Sequence, residues 1–316
     1  MDSVRGRLKM LGVVLCAMAV SFFAEAQEPT GFRSIQRLTN SEVQLRLNST
    51  SSYRINVSTN LTAWEPLVSA ARQSTQYLDS GAVYRTNRYY NVVEVTDTNF
   101  IAGDHIVTAD GDVIVRPVNH AGFVLRWKSM MIYNDPVTAS RYATFPKADL
   151  ILVSHSHTDH FDAPTLSAVR ATNGVIIAPQ AVYSSLSAAL RTNTIVLTNG
   201  ASTNINGVQI EAVPAYNGMH PLGTGNGYVV TIGGKRFYMA GDTGDVAEMR
   251  ALQNIDVAFL CMNSFTMTTA AAASAARDFR PKILYPYHYS TPDNINSLKR
   301  LVGTEHGIEV RLRTWY

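Results

Sequence analysis

Apolar and polar positions alternate with a period of two through the first third of the chain. Val43, Leu45 and Leu47 form one such run, and Tyr53, Ile55 and Val57 another. Tyr89-Tyr90-Asn91-Val92-Val93 reads as a further strand, and clusters of Ser, Thr and Asn between these runs suit turns. This spacing puts one face on a core and the other in water. From Gly103 the texture changes to short apolar strands, helical segments and Gly-rich turns. Strands are expected at Asp149–Val153, Val175–Ile177, Val208–Val213, Gly227–Ile232, Arg236–Ala240, Ile255–Leu260 and Ile283–Tyr287. Gly233-Gly234 closes a hairpin, because glycine accepts the positive φ of tight hairpin turns. Helices are expected at Ala163–Ala171, Val246–Leu252, Thr269–Arg277 and Pro292–Leu301, with Asp162 and Thr291-Pro292 as starts. There is no internal repeat and no low-complexity segment.

The N-terminus follows a different rule. Arg5, Arg7 and Lys9 precede an apolar run from Met10 to Ala24, and Ala24-Glu25-Ala26 gives a small-x-small site. That layout is expected of a secretory signal peptide over residues 1–26, with a secreted or periplasmic bacterial product. The run is short for a membrane span, which takes about 20 apolar residues, so no stable membrane insertion is expected after cleavage. Cys16 does not mark a lipoprotein, since Leu15 stands where a small residue is required. Cleavage would leave Cys261 as the one cysteine, which excludes an intramolecular disulfide. Placed at the end of the apolar run Val257-Ala258-Phe259-Leu260, it reads as a buried, inert thiol.

The 316 residues allow one large domain or two smaller ones. A small β-sandwich module is expected over residues 27–100, and a larger domain over 103–316. The formal charge of +3 is too small to indicate a nucleic-acid partner, and no Arg/Lys stripe interleaves with aromatics. A small-molecule substrate is expected instead. The first region holds no histidine cluster, paired carboxylates or phosphate loop. Ser58-Thr59-Asn60-Leu61-Thr62-Ala63-Trp64 and Asn87-Arg88-Tyr89-Tyr90 resemble the immunoglobulin-like or fibronectin-like modules of bacterial secreted proteins. Trp64 and the tyrosines read first as core, and second as a glycan or surface platform.

The chemistry gathers elsewhere. Three of the eight histidines fall within the run His155-Ser156-His157-Thr158-Asp159-His160, directly after the apolar strand Leu150-Ile151-Leu152-Val153. Alternate residues near a strand end point the same way, so His155 and His157 can reach one ion. The turn that follows can aim Asp159 and His160 at a second. Imidazole and carboxylate together suit zinc or a similar first-row ion. Three later candidates each follow a strand: His220, Asp242 and His288.

This set resembles the metallo-β-lactamase-fold hydrolase superfamily over residues 105–316. The phrases Ala215-Tyr216-Asn217, His220-Pro221, Gly225–Tyr228, Ala240-Gly241-Asp242-Thr243, Phe265-Thr266-Met267 and Pro286-Tyr287-His288 are similar to the branch of ascorbate-6-phosphate lactonase and N-acylphosphatidylethanolamine phospholipase D. Asn119-His120-Ala121 and Asp135-Pro136-Val137 also match that branch. The resemblance implies an α+β fold, a four-layer αββα sandwich with metals at one edge of the two sheets. It implies that His155, His157 and His220 hold one ion, that Asp159, His160 and His288 hold the other, and that Asp242 bridges. The phrase around His220 departs from the Gly-His-Thr form common in the superfamily. Two zinc ions are expected, and Mn2+ or Fe2+ would suit the same donors.

The expected reaction is hydrolysis of an ester, lactone or phosphodiester by a bridging hydroxide. Asp159 would orient it and accept a proton, and His120 could donate to substrate or leaving group. His120 reads equally as a structural histidine, and Asp162 as a helix cap. Within the superfamily the bridging acid points away from β-lactam hydrolysis, which stays an alternative. A second alternative is a non-catalytic binding protein acting through residues 27–100. Tyr216, Asn217, Met219, Asn263, Phe265 and Met267 stand near the motifs, and each reads equally as core. The oligomeric state is not readable.

Overall fold

A computed structural model of the chain describes residues 30–97 and 100–315, so the expected signal peptide lies outside the described residues. The chain divides into two compact units, one of residues up to 66 and 70–98, the other of residues 67–69 and 99–316.

The first unit contains β1 (Gly31–Arg37), β2 (Val43–Asn48), β3 (Tyr53–Ser58), half of β4 (Glu65–Ala70), β5 (Gln76–Asp79) and β6 (Tyr89–Glu94). Strands β1, β2 and β5 form an antiparallel sheet, and β3 pairs antiparallel with β6. The alternation seen in the sequence is realised: Val43, Leu45, Leu47, Tyr53, Ile55 and Val57 are buried. Trp64, Tyr89 and Tyr90 are only half-buried. Asp79 is fully buried, and Arg88 and the hydroxyl of Tyr90 donate to its carboxylate.

The second unit is built on two sheets. One runs β13 (Thr194–Val196), β12 (Arg170–Ala178), β11 (Ala148–Leu152), β10 (Met130–Asn134), β9 (Gly122–Trp127), β8 (Val113–Asn119) and β7 (Gly103–Ile106), with Leu67–Ser69 pairing beside β7. The other runs β14 (Ser202–Ile205), β15 (Val208–Pro214), β16 (Asn226–Ile232), β17 (Lys235–Met239), β18 (Val257–Met262), β19 (Ile283–Tyr289) and β20 (Glu309–Val310).

Period-two geometry explains why central strands are apolar throughout. In β11, Leu150 and Leu152 enter the core shared with the second sheet, while Ile151, with Val153 just beyond, faces a separate cluster. That second cluster is completed by Leu166 and Val169 of α1 (Ala163–Val169), Val182 of α2 (Gln180–Ser185) and Leu190 of α3 (Ala188–Arg191). On the other sheet α4 (Ala247–Arg250), α5 (Thr269–Phe279) and α6 (Pro292–Val302) supply Met249, Ala272, Ala276, Phe279, Leu298 and Val302. Between the sheets Phe123 stacks on Phe259 with ring centres 4.0 Å apart, and Trp315 closes edge-on. The result is a sandwich of two mixed sheets flanked by few helices.

Three expectations change. The helix from Ala163 stops at Val169 rather than Ala171, because Arg170 begins β12 and pairs with Ala148. Helices α2 and α3, only six and four residues long, were not expected. Strand β19 runs on to Tyr289, so His288 lies within it rather than after it. Asp162 does cap α1, accepting from the backbone N–H of Thr165 at 3.2 Å. Gly233 and Gly234 both take positive φ in the β16–β17 hairpin. Among the described residues no helix is long and apolar enough to cross a membrane.

A buried ionic group ties the far end of the second unit. Asp104 accepts from Arg313 (2.8 Å) and from the hydroxyl of Tyr285 (2.7 Å), and Arg311 donates to the same hydroxyl. Burial alone would raise the Asp104 carboxyl, but the guanidiniums of Arg313 and Arg311 hold it below the usual carboxylate range. Nearby, Ser69, His105 and Asp112 form a hydrogen-bonded chain of 2.7 and 3.2 Å. Ser69 is buried within its strand, so this chain cross-links strands rather than presenting a nucleophile.

Candidate metal centre

Every candidate ligand comes from the end, or a break, of a strand. Strands β10 and β11 are parallel, with Asn134 opposite Leu152. That register sets Asp135 beside Ser154, and Asp135 is anchored by its N–H donating to the Leu152 carbonyl. His155 to His160 then turn away from the sheet. From the second sheet, β15 leads to the loop carrying His220, β17 leads through Ala240 and Gly241 to Asp242, and β19 carries His288. Gly241 has φ +58, and a Cβ there would meet the Asn226 carbonyl oxygen at 2.9 Å, so glycine is required. His288 also has positive φ, 50°, at a register shift between β18 and β19. A bulge of this kind re-aims a side chain. His120 (φ 53°) sits in the β8–β9 turn, and its carbonyl accepts from the His288 N–H.

These residues form three overlapping groups whose ligand atoms lie within 4.8 Å of one another: His155, His157 and His220; His155, His160 and Asp242; and His120, Asp159, His160 and His288. All seven sequence-derived ligand candidates are brought together, and His120 joins them. Nδ1 of His157 lies 2.9 Å from Nε2 of His220. Oδ1 of Asp242 lies 3.2 Å from Nε2 of His160 and 3.3 Å from Nε2 of His288. Its other oxygen is 3.8 Å from Nε2 of His155. Asp159, more open to solvent, faces Nε2 of His120 at 3.1 Å and of His288 at 3.3 Å.

Four of these atoms are buried without a hydrogen bond: Nε2 of His155, His160 and His288, and Oδ1 of Asp242. Buried polar atoms left unmatched cost about 1–3 kcal/mol each, so their convergence on one spot requires a partner. Ligand atoms around a tetrahedral ion at 2.0–2.2 Å stand about 3.3–3.6 Å apart, which matches the 3.2–3.3 Å spacings around Asp242. The residues present therefore fit a metal.

The electrostatics agree. Burial and the neighbouring charge of His160 push the His155 imidazole down to about 2, leaving its lone pair free. Burial would also lower His160, but the Asp242 and Asp135 carboxylates carry it up to about 10. Two carboxylates at that ring call for positive charge in the centre. Burial would raise Asp242, yet His160, His288 and His155 keep its carboxyl well below the usual range. The hydrogen bond with His120 and the close approach of the His288 ring do the same for Asp159.

The sequence named Asp135, Asn217 and Asn263 near the motifs without assigning them a supporting role, and did not single out Ser154. Asp135 is fully buried and accepts from the Ser154 N–H and the Ser154 hydroxyl, both at 2.7 Å. It also lies 2.8 Å from Nδ1 of His160. The Ser154 hydroxyl in turn lies 3.0 Å from Nδ1 of His155. One carboxylate thereby orients two rings and turns the Nε2 of each toward the centre. Asn217 lies 2.9 Å from Nδ1 of His220, and Asn263 lies against Nδ1 of His288. The available signal was an aspartate at the end of an apolar strand, Met130–Tyr133, next to the histidine strand. Cys261 is fully buried, with its thiol donating to the Thr243 carbonyl at 3.4 Å. Burial and the charge of Asp242 raise that thiol, keeping it protonated.

The fold and this centre have clear relatives. Residues 117–289 match the model of the beta-lactamase superfamily domain. The chain is 34% identical to a UPF0173 metal-dependent hydrolase of Thermococcus kodakarensis, over 60% of this chain and 92% of that one. Among solved structures it is similar to that of a proposed metal-dependent hydrolase from Parabacteroides distasonis, at 40% identity over 68% of this chain and 99% of that one, with a TM-score of 0.62. The metallo hydrolase Igni18 of Ignicoccus hospitalis is similar at 25% identity, over 64% of this chain and 94% of that one, with a TM-score of 0.55. The chain belongs to the beta-lactamase superfamily. Within it, the protein is a metal-dependent hydrolase.

Proposed function

We propose that the protein is an exported hydrolase with a centre for two divalent ions, which cuts an ester, lactone or phosphodiester bond in a small molecule. The observation that carries this reading is the set of four buried, unbonded ligand atoms at Asp242. In this reading His155, His157 and His220 hold one ion, Asp159, His160 and His288 hold the other, and Asp242 is shared. The nitrogen-rich donor set with carboxylates favours zinc. Export is supported by the basic start, apolar run and Ala24-Glu25-Ala26 pattern.

Two bound ions would bring a shared water toward ionisation at neutral pH and polarise the bond under attack. The chain's own groups handle the proton. Asp159 stands beside Nε2 of His120 and of His288, at the open side of the cluster, and would orient the water and take up its proton. Nε2 of His120, 3.1 Å from Asp159, is placed to pass it to the leaving group. Asp135, Ser154, Asn217 and Asn263 hold the histidine rings in register. Replacing Asp242 with alanine tests the reading by elemental analysis of bound metal and turnover of ester, lactone and bis-nitrophenyl phosphate substrates. Loss of bound metal together with turnover is expected; unchanged stoichiometry and rate would sink the shared-carboxylate assignment.

A further inference from the structure

Two loops hold the outer histidines of the centre by the same device. Asn217 accepts from the backbone N–H groups of Met219 (2.7 Å) and His220 (3.0 Å), and its amide nitrogen donates to the Asp242 carbonyl at 2.7 Å. Asn263 accepts from the N–H groups of Phe265 (2.7 Å) and Thr266 (2.9 Å) while lying against His288. In each loop the asparagine seats a histidine. Two residues further on, each loop turns a large apolar side chain outward.

Met219 is 58% exposed and Phe265 64%, and Leu222 in the first loop is 61% exposed. Scattered exposed apolar residues are ordinary. These three, however, are the most exposed large hydrophobic residues among the described residues, ahead of Leu61 at 48% and Leu301 at 47%. They also lie on loops hydrogen-bonded to the centre rather than on free turns. The two loops meet the cluster at its two ends. The His220 ring packs against His155 and His157 (4.6 and 4.4 Å between centres), and the His288 ring packs on His160 at 5.0 Å.

The geometry points to an apolar rim at the mouth of the centre, formed by Met219, Leu222 and Phe265, that selects substrates carrying an apolar group beside the bond to be cut. This inference rests on the metallohydrolase reading above. A methylene fully removed from water contributes about 0.8 kcal/mol, which is about fourfold in affinity, and partial cover gives about twofold.

The test is calorimetric binding of methyl-, butyl- and octylphosphonate to the metal-loaded protein, which needs no turnover. Affinity should rise about two- to fourfold per methylene over the first few carbons. The octyl-to-methyl ratio should fall at least about tenfold in the Met219→Ser/Phe265→Ser double variant, and stay unchanged in Leu301→Ser. All three positions are exposed, so the fold should tolerate the changes; circular dichroism checks this. A wild-type affinity independent of chain length overturns the inference, as does a ratio that survives the double variant. A dimer that the double variant converts to monomer, with flat affinities, also overturns it and assigns the rim to a second copy. Methylphosphonate binding that is lost on chelation and in Asp242→Ala, combined with no chain-length effect, defeats the rim alone. Methylphosphonate binding that ignores both defeats the metal-centre reading and the rim with it.

Discussion

Replacing Asp135 with asparagine should weaken metal binding more than it weakens the fold. The carboxylate is fully buried and is the acceptor for the Ser154 N–H, the Ser154 hydroxyl and the His160 ring. Asparagine keeps one oxygen, enough for the Ser154 N–H. Its amide N–H2 then faces the Ser154 hydroxyl and Nδ1 of His160. The hydroxyl can rotate to accept, but Nδ1–H of His160 meets a second donor. One hydrogen bond to a charged group is lost, worth about 1.5–3 kcal/mol. Because the rotated hydroxyl no longer orients Nδ1 of His155, 3.0 Å away, the change reaches a histidine of each proposed ion. Loss of such a support costs about 10–100-fold in metal affinity. Chelator competition with a zinc indicator measures that constant, and urea unfolding of the metal-free protein measures the fold separately. If affinity is unchanged while metal-free stability falls, Asp135 is only a loop anchor and the orienting argument fails.

Three further outcomes follow from the same contacts. Ser154→Ala should cut the link to His155 but leave the Asp135–His160 contact, so one ion should weaken by about tenfold and the other little; equal weakening of both in a two-site titration would contradict this. Asp104→Asn removes the charge facing Arg313 and Arg311 and should cost about 3–5 kcal/mol by denaturant unfolding. Because the folded Asp104 carboxyl lies below its ordinary value, its stabilisation is complete above the unfolded value of about 3.9 and is lost as pH falls through the lower folded value. The variant should therefore show a flatter stability profile on the acid side, and an unchanged profile would refute the assignment. Stripping metal should lower the melting temperature without unfolding the chain, since saturation at a hundredfold excess over Kd adds only about 2.7 kcal/mol per site; loss of β-sheet signal on chelation would show the core insufficient alone.

What the sequence made legible was whatever sits in one local stretch. The apolar run Leu150–Val153 announced a strand buried on both faces, and its two residue sets do enter two different cores. The histidine run after it needed no tertiary knowledge to be noticed. His220, Asp242 and His288 were separately weak and gained meaning only as a set of strand-end residues. The supports were hidden because their partners are distant. Asp135 matters through the parallel register of β10 with β11, and no local pattern reveals which strands are neighbours. The early end of α1 has the same origin, since pairing of Arg170 with Ala148 overrides helical preference there. The positive φ of His288 follows from the mismatch of β18 and β19, which nothing within Pro286-Tyr287-His288 encodes.

The placement of the centre also explains how the second unit, in which the described residues form no disulfide, can hold a strained site. Among the described residues Cys261 is the free cysteine, and it is buried, so covalent staples contribute nothing there. Asp135, His120, His288 and Gly241 all carry positive φ around one cluster. Non-glycine residues in such conformations cost about 1–3 kcal/mol each, a cost that the surrounding structure must over-determine. The second unit does so from two directions. Asp135 and His155–His160 leave the first sheet, while His220 and Asp242 follow strands of the second and His288 sits at a bulge within it, and the Phe123–Phe259 stack ties the two sheets together. The sandwich core thus holds the sheets at fixed separation before any ion arrives. An ion bound between the ends of the two sheets would then meet ligands anchored on both, so its binding energy would go mainly into the centre's charge balance rather than into folding the chain.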